Sequence, residues 1–215
     1  MGRLRKNTSK ENVLFGDNYY YIPEPKKHLN LWSKDVFQND NPIHIEIGCG
    51  KGNFIFNKAL ANPKINFIAI DKFATVIFSL LKKIKTSELK NLKLVCICAT
   101  QIEEIFAHGE ISKLYLNFSD PWPKKKHAKR RLTHNSFLIK YFDLLMSKGQ
   151  IEFKTDSELL YNYTLETIIE NNYKVLFKTI DLYNSDFDCT NEIKTEYEIK
   201  WMNMGIKIKK IIFEK

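Results

Sequence analysis

From Ile43 onward the chain switches back and forth between two hydrophobic periods, and few folds accommodate that. Short apolar runs read as strands: Ile43-His-Ile-Glu-Ile47, Ile65-Asn-Phe-Ile-Ala-Ile70, Leu92 to Cys98, Leu114 to Phe118 and Gln150 to Lys154. Stretches with apolar residues three and four apart read as helices over 53–61, 75–85, 102–106, 136–147 and 157–170. The first of these turns Phe54, Ile55, Ala59 and Leu60 inward. A strand followed by a helix is carried back over the sheet before the next strand begins. The alternation therefore predicts an α/β fold with a doubly wound, mostly parallel sheet. Beyond Lys174 the pattern changes. Val175 to Leu182 is strand-like, and Tyr183 to Ile193 is a polar loop. Tyr197 to Met202 and Ile206 to Phe213, flanking Asn203-Met-Gly205, predict a closing antiparallel hairpin.

Residues 1–41 lack a sustained apolar period and form a basic, partly flexible N-terminal extension to a domain over 42–215. The extension carries Arg3, Arg5, Lys6 and Lys10, then Tyr19-Tyr-Tyr21, Pro23, Pro25 and Trp32. Two readings stand. Cations and rings lie along a nucleic acid, or the rings pack on the domain's flank and the cations are solvated.

Charge bears on the choice. Lys and Arg number 34 against 25 Asp and Glu, a formal net charge of +9. Such an excess favours polyanions, whether nucleic acid or an anionic membrane surface. Free use of lysine in an AT-rich genome gives the same total, so clustering has to decide. No apolar run is long enough to span a bilayer, and no secretory signal is visible. Cys49, Cys96, Cys98 and Cys189 show neither a CxxC pair nor metal-ligand spacing. The expectation is a cytoplasmic protein with reduced thiols, no metal and no membrane partner.

Two stretches carry chemistry. The first is the turn Gly48-Cys-Gly50-Lys-Gly52 between a strand and a helix, where glycines let a ligand approach the backbone. Its spacing is not the G-x-G-x-x-G of pyrophosphate binders. Glu46, just before it, repels a phosphate but suits a cation. S-adenosylmethionine carries an ammonium and a sulfonium and no phosphate. Asp71 ends the next strand, where a carboxylate takes ribose hydroxyls in this architecture, or serves as a plain turn residue.

The second stretch is Asn117-Phe-Ser-Asp-Pro-Trp-Pro-Lys-Lys-Lys-His-Ala-Lys-Arg-Arg131. Two prolines break any ladder or helix there. The six Lys and Arg that follow include no acid among them, so the run reads as a grip on phosphate rather than as a solvated loop.

Together these residues resemble the bacterial tRNA (guanine-N7)-methyltransferases. The likeness rests on Ile43 to Gly52, Asn117-Phe-Ser-Asp-Pro-Trp-Pro-Lys124, His127-Ala-Lys-Arg-Arg131, Phe153-Lys-Thr-Asp156 and Thr195-Glu-Tyr-Glu198, in the family's order and spacing. It implies a Rossmann-like class I methyltransferase fold, S-adenosylmethionine as cofactor, tRNA as partner, and methylation of a guanine in the variable loop. Oligomeric state is left open between monomer and homodimer. Glu46, Gly48, Gly50, Gly52, Asp71, Cys98, Ala99 and Asp120 then fall at cofactor-binding positions, with Asp120 also catalytic. Lys124, Asp156, Thr195, Glu196, Tyr197 and Glu198 fall at substrate positions. Lys126, His127, Ala128, Lys129, Arg130 and Arg131 fall on the RNA-contacting segment. In two places the chain departs from the family. Asp71 stands for the usual Glu, and Cys98 for the usual Asp that accepts from the adenine amine. That contact passes to the backbone of Ala99 and Thr100, and weaker donor binding is expected.

The chemistry is undemanding in one respect. Guanine N7 has an in-plane lone pair and no proton to lose, so alignment and charge matter and a general base does not. Asp120 is the fixed counter-charge, and Asp156 and Glu198 accept from the guanine N1–H and N2 amine. Trp122 stacks on a base or adenine ring, or wedges into the core. Two rivals remain. One is an exocyclic-amine methyltransferase, disfavoured because the second proline follows Trp122 instead of preceding it. The other is a non-catalytic RNA-binding protein on the same fold.

Overall fold

The computed structural model describes Leu14, Gly16, residues 19–190 and residues 192–215. Arg3, Arg5, Lys6 and Lys10 lie outside the described residues. The chain divides into two compact units, the first ending at Ala107 and the second running from His108 to Lys215.

In the first unit, β1 (Ile43–Ile47), β2 (Asn66–Asp71) and β3 (Leu92–Cys96) run parallel in the order β3-β2-β1. All but the last residue of β2 is buried, as expected for a strand covered on both faces. Helix α1 (Asn53–Ala61) crosses from β1 to β2, and α2 (Ala74–Ser87) from β2 to β3. Ala74, Ile77, Phe78, Leu80, Leu81 and Ile84 form the buried stripe of α2. Full burial of each large side chain contributes about 1.5–3 kcal/mol. In α1, Phe54, Ile55 and Ala59 are buried as expected, but Leu60 is 57% exposed. It lies one residue past the buried stripe on a helix too short to bury both flanks.

The segment before β1 is stitched to the same unit. Tyr21 bridges Leu94, with hydrogen bonds from Ile22 N to Leu94 O at 2.9 Å and from Leu94 N to Tyr20 O at 2.8 Å. This covers the edge of β3, which would otherwise be an open template for pairing. Trp32 is fully buried and donates from Nε1 to Ile105 O at 2.6 Å. The aromatic rings Tyr21 and Trp32 therefore pack into protein.

In the second unit, β4 (Ile111–Asn117) and β5 (Leu145–Thr155) are parallel, joined through α3 (Asn135–Leu144). After α4 (Glu158–Glu170) come β6 (Lys174–Thr179) and β7 (Lys209–Glu214), and the order here is β4-β5-β7-β6. Strand β7 runs antiparallel to both neighbours. The antiparallel close expected beyond Lys174 is present, but 197–202 is not one of its strands. Those residues form α5 (Glu196–Asn203). The alternation Tyr-Glu-Ile-Lys-Trp-Met imitates a strand. The backbone is decided instead by a capping box in which Thr195 Oγ1 accepts from Glu198 N at 2.9 Å and Glu198 Oε2 accepts from Thr195 N at 3.0 Å.

Two further boundaries differ. Helix α3 stops at Leu144, and β5 begins at once, with a register irregularity and Lys148 at φ +63° before Gln150. Strand β3 ends at Cys96, because Cys98 turns the chain into a 3-10 helix over Ala99–Glu104.

Candidate active site

In the first unit the site forms where β1 and β2 end. Gly48, Gly50 and Gly52 all take positive φ, at 79°, 55° and 74°. Two of them show why glycine is required. A Cβ on Gly52 would lie 2.3 Å from Leu80 Cδ2, so this position lets α2 close on the start of α1. A Cβ on Gly50 would meet nothing within 4 Å, so there glycine leaves an open approach to the backbone.

Asp71 holds the turn from the next strand. Its Oδ2 accepts from Gly50 N at 3.1 Å and its Oδ1 from Phe73 N at 2.9 Å. Burial pushes its carboxyl up, against the pull of these hydrogen bonds and of Lys72. Glu46 is buried on β1, one turn away in sequence. Cys49, enclosed between these acids, is pushed well above the ordinary thiol range, first by burial and then by Asp71 and Glu46.

Cys98 is exposed and occupies an N-cap. Its sulfur accepts from the backbone of Gln101, whose side chain accepts in return from Cys98 N at 3.4 Å. Burial acts to raise its thiol, but hydrogen bonds from Thr100 and Ala99 and the charge of Lys72 outweigh it and leave the thiol below its usual range. The thiol thus stands in a position that suits an anionic acceptor, as a carboxylate would.

A cationic nucleoside fits this set. It meets a buried acid, an open glycine approach and an aspartate already aimed along the turn. Among the described residues no group of His, Cys, Asp or Glu is placed to hold a metal ion, and no helix is long and apolar enough to cross a membrane.

In the second unit the site begins where β4 ends. Phe118 at φ +50° and Trp122 at φ +41° bracket Ser119-Asp120-Pro121. A bulky residue in the left-handed region costs about 1–3 kcal/mol and persists only where its surroundings enforce it. Asp120 is exposed between them.

The basic run that follows is a 3-10 helix over Lys125–Arg130, folded back on the turn. Arg130 lies over the Trp122 ring at 4.9 Å, and His127 meets it edge-on at 5.7 Å. Lys124, Lys125, Lys126 and Lys129 are exposed, with no ion pair among the described residues. Arg131 differs from them. It is 5% exposed, donates from Nε to Pro121 O and from Nη2 to Trp122 O, both at 3.0 Å, and lies 4.1 Å over the Tyr163 ring. It was expected on the RNA-contacting surface. Its Nε and Nη2 donate instead to carbonyls of its own chain.

Asp156 is half-buried at the end of β5, where its backbone oxygen accepts from Lys209 Nζ at 3.1 Å. Glu196 and Tyr197 are exposed on the first turn of α5. Glu198, expected to accept from guanine, is fully buried. Its Oε1 accepts from Tyr183 OH at 2.6 Å, and its Oε2 accepts from Lys154 Nζ at 2.8 Å as well as from Thr195 N. As placed, it anchors the start of α5 from inside and offers no oxygen to a base.

Behind it lies a group of residues that the sequence reading missed. Lys154 and Lys210 face each other across β5 and β7 and are almost fully buried. Like charges directly opposite are destabilising. Here Glu192 sits between them, 3.0 Å from each ammonium. Glu152 continues the chain of charges to Lys210 at 3.2 Å and to Lys113 at 2.8 Å. Burial acts to lower the Lys154 ammonium pKa, but Glu198 and Glu192 more than reverse it, and the pKa stands above the ordinary range. Burial acts to raise Glu192, and the two lysines overcome it and leave it below the ordinary range. Tyr183 is pushed up by burial and by Glu198. A lysine inside an apolar strand is the signal for such a network, since a buried ammonium demands acids nearby.

The fold and the turn at the end of β1 define a class I methyltransferase. Among solved structures, an antibiotic-related methyltransferase superposes at a TM-score of 0.62 with 17% identity, covering 85% of this chain and 92% of its own. The 16S rRNA methyltransferase KamB superposes at 0.60 with 11% identity, covering 80% and 86%. A family model described as "Putative methyltransferase" matches residues 40–211. A tRNA (guanine-N(7)-)-methyltransferase of Malacoplasma penetrans is 47% identical over 216 aligned positions, covering 100% of this chain and 98% of that protein. Its counterpart in Bacillus cytotoxicus is 46% identical, covering 97% and 95%. The chain belongs to the tRNA (guanine-N(7)-)-methyltransferases, S-adenosylmethionine-dependent enzymes.

Proposed function

We infer that this chain methylates N7 of guanine 46 in the tRNA variable loop. The observation that carries the reading is the Phe118–Trp122 turn. It sets an exposed carboxylate at a strand's end, followed at once by unpaired cations, in a chain 47% identical to an enzyme of that name. S-adenosylmethionine supplies a methyl group made electrophilic by its sulfonium. Glu46, the open backbone at Gly50, Gly48, Gly52, Asp71 and the backbone of Ala99 are the residues assigned to hold it, and Asp120 is assigned to the same cofactor. The buried acid at Glu46 favours a cationic ligand, and Asp71 is assigned to the ribose hydroxyls.

On the acceptor side no residue has to remove a proton. The residues hold the base with N7 aligned, and alignment at about 3–3.5 Å contributes several kcal/mol. Asp120 supplies negative charge where the guanine ring becomes positive. Lys124, Asp156, Thr195, Glu196 and Tyr197 are assigned to the guanine and its phosphate, with Glu198 fixing that segment from within. Lys126, His127, Ala128, Lys129 and Arg130 are assigned to the tRNA backbone.

The reaction is placed in the cytoplasm, by a monomer or homodimer. Four free cysteines accord with a reducing compartment. Residues 1–41 are assigned as a basic extension of the 42–215 methyltransferase domain. The test is methyl transfer to unmodified tRNA, followed by nuclease digestion and mass mapping. One 7-methylguanosine in the variable-loop fragment supports the assignment. A methyl group elsewhere, or none, rejects it.

A further inference from the structure

We propose that Arg131 is a positioning residue that fixes the backbone turn carrying Asp120, and that it makes no contact with tRNA. The proposal rests on the reading of Asp120 as the group that faces the reacting guanine. Three observations carry it. The first is burial: Arg131 is 5% exposed, whereas its neighbours Lys129 and Arg130 are exposed. The second is where its donors go. Nε and Nη2 reach the consecutive carbonyls of Pro121 and Trp122, both at 3.0 Å. A planar guanidinium presents parallel donors in a fixed fork, which an ammonium cannot reproduce. The third is what it clamps. Trp122 sits at φ +41°, a conformation that an aromatic residue holds only under constraint, and Asp120 lies two residues before it.

The clamp has its own footing. The guanidinium rests on the Tyr163 ring at 4.1 Å. Two residues on, Thr133 is fully buried and its hydroxyl hydrogen-bonds that of Thr164 at 2.7 Å. Tyr163 and Thr164 are neighbours on α4, so one helix anchors both the stacking surface and the chain just past Arg131. Releasing the carbonyls lets the turn relax toward ordinary φ values and swings the Asp120 carboxylate. A displacement of about 1 Å at a reacting centre costs about 100-fold in rate.

The test compares Arg131→Lys, which keeps the charge and loses the fork, with Lys129→Ala, which loses an exposed cation. Each is assayed for single-turnover methyl transfer at saturating tRNA and for tRNA affinity across a salt series. Arg131→Lys is expected to lower the transfer rate by roughly 10–100-fold with tRNA affinity within about twofold of wild type and an unchanged salt slope. Lys129→Ala, within the run assigned to the tRNA backbone, is expected to weaken tRNA binding, with a slope shallower by about one. Arg131→Lys that transfers at the wild-type rate, or that binds tRNA more weakly with a shallower slope, overturns the proposal. Should Arg131→Lys fail to fold, Tyr163→Leu decides. It removes the surface beneath the guanidinium and is expected to slow transfer several-fold at constant salt slope. A wild-type rate or an altered slope overturns the proposal there too. Wild-type protein that makes no 7-methylguanosine would instead sink the underlying reading of the site, and the two failures are told apart by that control.

Discussion

Both units bend their backbone into the left-handed region at the end of a strand, but they do so with opposite residues. In the first unit the positions are Gly48, Gly50 and Gly52, which adopt it without a Cβ to clash. In the second they are Phe118 and Trp122, which adopt it under strain, and Arg131 donates to the carbonyls of Pro121 and Trp122. The difference matches the tasks assigned to the two turns. A glycine turn opens backbone to a ligand that must enter and leave. A strained aromatic turn fixes one carboxylate in one place, and alignment is what the N7 reaction demands. The two units also treat charge differently. The first encloses two acids, Glu46 and Asp71, which suits a cationic ligand. The second buries lysines and acids together, and its basic helix carries no acid.

If that division is right, damage should separate by unit. The largest effect is expected from Glu192→Ala, which leaves Lys154 and Lys210 facing each other in the interior. Denaturant unfolding should show a loss of about 3–5 kcal/mol. The pH dependence follows from the depressed pKa of Glu192. Its contribution is present above the ordinary glutamate range and is lost as pH falls through the depressed value. Stability curves of wild type and Glu192→Gln should therefore diverge at neutral pH and converge in acid. Parallel curves would contradict the network.

Next in size is the combined Lys124→Ala, Lys126→Ala, Lys129→Ala variant. Its tRNA affinity at low salt should fall by roughly 10–100-fold with a shallower salt slope. Calorimetry should find its donor affinity unchanged, and a parallel loss of donor binding would break the comparison. Asp71→Asn should do the converse. It is expected to weaken the donor about tenfold through the proposed ribose contact and the Gly50 hydrogen bond, while filter binding finds tRNA affinity intact. The smallest effect is expected from Cys98→Asp, which restores a carboxylate at an N-cap. A gain in donor affinity of roughly threefold to tenfold sharpens the adenine assignment, and no gain removes it.

Much of the first unit was legible because its signals are local. The strand–glycine–helix corner and Asp71 at the end of β2 stand in the chain almost as they do in space. The second unit was harder to read, for identifiable reasons. Nothing in Lys-Lys-Lys-His-Ala-Lys-Arg-Arg says which cation faces inward. A short 3-10 helix decides it by carrying Arg131 back beneath Pro121 and Trp122. Thr195-Glu-Tyr-Glu198 holds two signals at once, an alternation that reads as strand and a Thr-x-x-Glu spacing that caps a helix, and the cap prevails. Glu198 was assigned to guanine from its motif, but its geometry is set by Lys154 and Tyr183, residues 44 and 15 positions away. Lys154 itself was visible as a charge within an apolar strand. Its partners come from a loop and a helix that no local pattern ties to it.

The most direct measurement is single-turnover transfer of a labelled methyl group to unmodified tRNA, by wild type and by Asp120→Ala, with donor and tRNA binding measured on the same preparations. The account predicts 7-methylguanosine from the wild type. It predicts a rate about 100-fold or more lower from the variant, which still binds tRNA normally and binds donor within about tenfold. Wild-type turnover from Asp120→Ala, or label on an adenine amine, contradicts it.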